Sequence, residues 1–169
     1  VNDSKTLEFA YEADATLKVE SVRLLDDALG VTQREQGYIV VPVREGLLIP
    51  ADSGVAFTHR FDTFAYEGCH MEMFGVVKSG AAALVTWHDL YAAVEIKSAL
   101  PADNTAPSGQ ELAPSLLLRK SAKSFRVQFL GRGDYVTIAK AYRPVARDKG
   151  WLVTWDEKLA GYPERAKLF

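Results

Sequence analysis

Two hydrophobic periods run along this chain. Up to about residue 133, apolar residues fall in short runs broken by Gly, Pro, Asn, Asp and Ser, with stretches of alternation that suit half-buried strands. The opening "TLEFAYEADATLKVESVRLL" places Leu17 and Val19 on one side and Lys18 and Glu20 on the other. "DDALG" reads as a turn closed by Gly30. "GYIVVPVREGLLIP" reads as a strand pair, Tyr38 to Val43 and Leu47 to Pro50, joined at "REG". Pro42 has no N–H to donate, which marks an edge or a bulge. "VVKSGAAALV" predicts a hairpin turning at Ser79-Gly80. "WHDL" is a further turn and "YAAVEIK" a further strand, so a meander is the simplest topology. "SALPADNTAPSGQELAPS" reads as an exposed loop, followed by strands in "SLLLRK" and "SFRVQFLG". In the last of these, Phe125, Val127 and Phe129 alternate with Arg126, Gln128 and Leu130.

From Asp134 the period lengthens. Ile138, Tyr142 and Val145 recur at spacings of four and three, one face of a helix with Asp134 as its N-cap and Gly150 past its end. Pro144 removes one helical hydrogen bond and predicts a kink. Thr154 followed by Glu157 is a capping box that starts a second helix, and Gly161 stops it. Pro163 suits the first turn of a third short piece ending at Leu168. The pattern therefore predicts a mainly β chain, an antiparallel β-sandwich over residues 1–133, with a helical C-terminal arm over 134–169.

Composition narrows the class. The 169 residues are 48% hydrophobic and 11% aromatic, enough for a real core. A net charge of -2 lacks the basic surplus of a nucleic-acid binder. No apolar run approaches the roughly 20 residues of a membrane span. The single cysteine, Cys69, excludes an intrachain disulfide and a zinc site built on several thiolates. No signal peptide is present, and the chain begins "VNDSKTLEF" without methionine, which suggests a mature or cut product and leaves a removed targeting segment open.

No complete active site is legible. Candidate carboxylates are Asp62, Glu67, Glu72, Asp89 and Glu95, but solvated charge at turns and polar strand faces explains them as well. "CHME" and "WHD" bring His70, Glu72 and His88 into view. On a strand His70 and Glu72 would share a face, with Met71 and Met73 toward the core and the polar pair toward water. No third or fourth ligand at a recognisable spacing accompanies them, so no metal and no cofactor are expected. Cys69 and His70, adjacent in the chain, would point to opposite faces of a strand and cannot easily form a nucleophile dyad. Trp87 and Tyr66 are the aromatics best placed to stack on a sugar, with a core or interdomain anchor as the plainer role for Trp87. "GRGD" at Gly131 to Asp134 matches an adhesion tetrapeptide, but Asp134 already serves as a helix cap.

Three stretches carry a resemblance: "GYIVVPVREGLLIP", "MEMFGVVKSGAAALVTWHDLYAAVEI" and the arm "DYVTIAKAYRPVARDKGWLVTWDEKLAGYPERAKLF". Together, over about the last three-quarters of the chain, they resemble the β-supersandwich (galactose-mutarotase-like) domain that precedes the catalytic barrel in some bacterial glycoside hydrolases. Closest in class are the endo-α-N-acetylgalactosaminidases and related α-N-acetylgalactosaminidases. Glu72 stands where that pattern has proline. The resemblance implies a secreted, periplasmic or cell-surface protein and a segment with no catalytic residue of its own, since the catalytic acids of such enzymes lie on the barrel. It implies a partner in the barrel of the same polypeptide, with Tyr142, Trp151, Trp155 and Phe169 at the contact. A glycan is a further partner, for which Tyr66, His70, Glu72, Trp87 and His88 are the candidates. A stand-alone carbohydrate-binding module and a cell-surface structural or adhesion domain are the alternatives.

Overall fold

The computed structural model describes residues 5–12, 14, 16, 18, 20–26, 28–101, 109–119, 122, 124–162, 164 and 167. Leu17, Val19, most of the piece from Pro163 to Leu168, and Phe169 lie outside the described residues. Among the described residues, eleven strands are followed by two helices. The strands are β1 (Thr6–Ala10), β2 (Ser21–Leu24), β3 (Val31–Thr32), β4 (Tyr38–Val41), β5 (Leu47–Pro50), β6 (Phe57–Asp62), β7 (Met73–Lys78), β8 (Ala81–Trp87), β9 (Ala93–Ala99), β10 (Glu111–Arg119) and β11 (Ser124–Arg132). The helices are α1 (Tyr135–Asp148) and α2 (Trp155–Gly161).

The strands form two antiparallel sheets packed as a sandwich. One runs β1-β11-β8-β7-β4-β5 and the other β2-β10-β9-β6, with β3 also paired to β10. The expected meander is corrected here. The β7–β8 hairpin is local, but β9 leaves for the other sheet, where it lies between β10 and β6. Asp89 makes that corner. Its carboxylate accepts from the backbone N–H of Tyr91 at 3.0 Å and of Arg119 at 2.9 Å, tying the turn to the second sheet. The β7–β8 turn has positive φ at both Ser79 (49°) and Gly80 (73°), the geometry of a two-residue I′ hairpin.

Pro42 and Pro114, inside strand-like runs, fall where no N–H is needed. Pro42 follows the last residue of β4 and ends it. The strand itself is not an edge, since β7 and β5 flank it. Pro114 lies within β10 opposite Ile96, at the gap between β3, which pairs as far as Leu112, and β2, which pairs from Leu116.

The main core lies between the sheets and includes Ile39, Phe74, Val85, Ile96, Leu112 and Leu116. The six-stranded sheet is covered on its other face too. There α1 lays Ile138 and Tyr142 against Met73, Val77, Ala82 and Leu84. Met71 and Met73 thus face the helix and not the core between the sheets. Gly75 makes the close approach possible, since a Cβ there would sit 2.6 Å from Ile138 Cδ1. The alternation in β11 breaks at a bulge between Phe129 and Gly131, which leaves Phe129 exposed and turns Leu130 toward the helix layer.

The arm forms as its caps predict. Asp134 accepts from the backbone N–H of Val136 and Thr137. Past Lys149, Gly150 is left-handed (φ 72°), its N–H donates to Arg147 O, and that of Trp151 donates to Ala146 O. The helix continues through Pro144 to Asp148. Thr154 and Glu157 cap α2 reciprocally, and no residue of α2 is buried.

Candidate functional site

Three element ends meet at one corner of the six-stranded sheet: the start of β7, the end of β8 and the last turn of α1. Glu72, Trp87, His88 and Lys149 come together there. Residues 70–72 bend before β7 begins at Met73, so strand alternation does not govern them. Glu72, expected to face water, is instead 1% exposed, while His70 is exposed. The Lys149 ammonium donates to Glu72 Oε2. His88 Nδ1 lies 3.5 Å from the same oxygen, with the His88 side chain 86% exposed at the rim. Glu72 Oε1 has no hydrogen-bond partner among the described residues. Burial pushes the Lys149 ammonium below its ordinary value, as expected for a cation moved out of water.

Trp87 is 4% exposed, its ring 6.3 Å from that of Phe74 in the sandwich core. It offers no open face for stacking on a sugar. Tyr66 is well exposed on the loop 63–70, with the Arg44 guanidinium 4.8 Å from its ring centroid and Arg44 also paired to Glu67. The loop is pinned by Phe64 N–H to Cys69 O and Cys69 N–H to Asp62 O, at 2.7 and 3.0 Å. His70 Nε2 sits 3.4 Å from Tyr66 O, on the same loop and apart from the Glu72 cluster. Cys69 is fully buried beside exposed His70, and burial pushes its thiol up to about 12, which disfavours the thiolate.

The remaining candidate carboxylates all have structural partners. Asp62 pairs with Arg60, Glu67 with Arg44, Glu95 with Arg23, and Asp89 caps the corner already described. Among the described residues no group of three or more His, Cys, Asp or Glu could hold a metal ion, and no helix is long and apolar enough to cross a membrane.

Helix α1 divides its face of the sheet into two grooves. On one side a groove of about 610 Å³ runs beside the β4–β5 hairpin, lined by apolar side chains that include Val40, Leu47, Leu48, Tyr135 and Tyr142. On the other a more polar groove of about 470 Å³ lies over β8, β11 and β1, with Thr86, Arg126 and Gln128 on its floor and Lys149 among its lining residues. Tyr142, expected at an interdomain contact, is 3% exposed and packs into the helix–sheet layer of this chain. Its hydroxyl has no partner among the described residues, and burial pushes its pKa up to about 12. Trp151 and Trp155 remain exposed, Trp151 meeting Phe64 edge-on at 5.9 Å and the Lys149 ammonium at 4.7 Å.

The pattern of residues missed Lys149 and Phe64. A lysine after a helix reads as an ordinary cation at the negative end of the dipole, and nothing local shows that it reaches a buried acid 77 residues away.

Fold and site together define a two-sheet β-sandwich carrying a helix on one outer face, with a buried acid–base pair where the helix ends. No known protein family matches the chain, and no curated protein sequence does. Among solved structures it is similar to the α-N-acetylgalactosaminidase NagBb from Bifidobacterium bifidum in its Gal-NHAc-DNJ complex. The TM-score is 0.67 at 20% identity, over 97% of this chain and 27% of that one. At that identity the likeness is one of fold, and this chain spans about a quarter of the length of that protein.

Proposed function

We propose that this chain is a non-catalytic β-sandwich domain of a glycoside hydrolase, of the galactose-mutarotase-like supersandwich kind. Residues 1–133 form the sandwich, and 134–169 lead toward a catalytic barrel that the sandwich supports and orients. The parent protein works outside the cytoplasm, secreted, periplasmic or at the cell surface. One observation carries the reading: 97% of this chain is similar in fold to 27% of an α-N-acetylgalactosaminidase. The partnered state of the candidate carboxylates supports it, since hydrolysis of a glycosidic bond needs two carboxyl groups roughly 5–9.5 Å apart and open to the sugar. So do Trp151 and Trp155, aromatic side chains left exposed at the end of the domain.

The test uses this chain alone with aryl glycosides, aryl α-N-acetylgalactosaminide among them. No turnover above buffer is expected. Turnover that disappears in Glu72→Gln or Asp89→Asn would overturn the reading. Calorimetric binding of a glycan by this chain, lost in Tyr66→Ala, would favour a binding module instead.

A further inference from the structure

The arm is tied at its start by the backbone N–H of Tyr135, which donates to the Tyr38 hydroxyl at 3.2 Å; beyond that it meets the sandwich through two contacts of different character. The first is apolar: Ile138 and Tyr142 lie on Gly75, Ala82 and Leu84. That packing fixes the middle of the helix, where Ile138 fills the space over Gly75, and leaves its C-terminal end to other contacts. The second is the pair at the helix end. Lys149 is the C-cap of α1, its side chain 18% exposed, and it donates to Glu72, 1% exposed. Lys149 also covers the face of Trp151, which meets Phe64 on the loop before β7.

Burying two charges costs each its hydration, and a buried ion pair about breaks even against apolar groups of the same size. Stability therefore does not account for this pair. What a point-to-point polar contact adds is direction, because a small slide or rotation of the helix leaves a buried carboxylate without its counter-ion. We propose that Glu72 and Lys149 form a lock that fixes the C-terminal end of α1 on the sheet. The lock thereby sets the direction in which the chain leaves the domain at Gly150 and Trp151. It acts through contacts within this chain and stands independently of the glycosidase reading.

The experiment compares the full chain with the apolar double variant Glu72→Met/Lys149→Met. Nitroxide labels at Lys97→Cys on β9 and Asp156→Cys on α2 report the direction of the arm by electron-electron distance measurement, with Cys69 buried and unlabelled. Hydrogen exchange at the amides of Gly150, Trp151 and Leu152, which donate to Arg147 and Ala146, reports the helix end. The parent should give one narrow distance distribution. The double variant should melt at a similar temperature, show a distribution about twofold broader, and exchange at those three amides about tenfold faster, with β7 unchanged. If the double variant does not fold, Lys149→Met, which removes the donor, takes its place with the same expected broadening. A parent distribution already broad, or a variant with unchanged width and exchange, overturns the proposal.

Discussion

Replacing Gly75 by alanine should lift α1 from its sheet. Gly75 lies in the middle of β7 on the face the helix covers, and the added methyl would meet Ile138 Cδ1 at 2.6 Å and Cγ2 at 2.8 Å. An ordinary carbon contact is about 3.5–4.0 Å, so the helix must move by roughly 1 Å or Ile138 must leave its rotamer. Overpacking of this size costs about 1–3 kcal/mol. Against it stands the roughly 0.4–1 kcal/mol that alanine contributes over glycine by restricting the unfolded chain. For a domain of this size each kcal/mol is about 2–4 °C, so Gly75→Ala should lower the melting midpoint by up to about 10 °C in calorimetry or circular dichroism. Ile138→Ala alone removes a fully buried side chain and should cost about 2–5 kcal/mol. Combined with Gly75→Ala it should cost less than the sum, because the new methyl enters the space that Ile138 vacates. A Gly75→Ala protein that melts at or above the parent, or strict additivity of the two changes, would refute the close approach of helix and sheet.

Two further outcomes follow from burial. Cys69, fully buried with its thiol pushed up to about 12, should resist alkylation at pH 8 until the chain unfolds, and fast labelling of the native protein contradicts that placement. Burial disfavours the Tyr142 anion and pushes its hydroxyl up to about 12 in the folded chain, against an ordinary 10.0. The folded state keeps that proton while the unfolded state loses it, so the contribution is fully present below about pH 10 and is lost between about 10 and 12. Denaturant unfolding across that window should show a shallower fall for Tyr142→Phe than for the parent, and an equal fall removes the assignment.

Much of the fold was legible because its signals are local. The Ser79-Gly80 hairpin, the Asp134 cap, the Gly150 terminus and the Thr154–Glu157 box each depend on a few adjacent residues, and each formed as expected. The candidate site was less legible. His70 and Glu72 looked like a matched pair on a strand face, but the chain bends there and sends one to solvent and the other inside. Trp87 looked like a sugar platform at a hairpin tip and is a core residue against Phe74.

By itself the sequence determined the β-rich body, the change of period at Asp134 and the helical arm, because backbone preference and side-chain periodicity act within a few residues. Only the tertiary structure decided that β9 crosses to the second sheet, that α1 covers the outer face of the first, and that Glu72 is buried against Lys149. A sheet covered on both faces loses the alternation that would tell its inside from its outside. A contact spanning 77 residues is set by how the layers stack, and nothing near either residue records it.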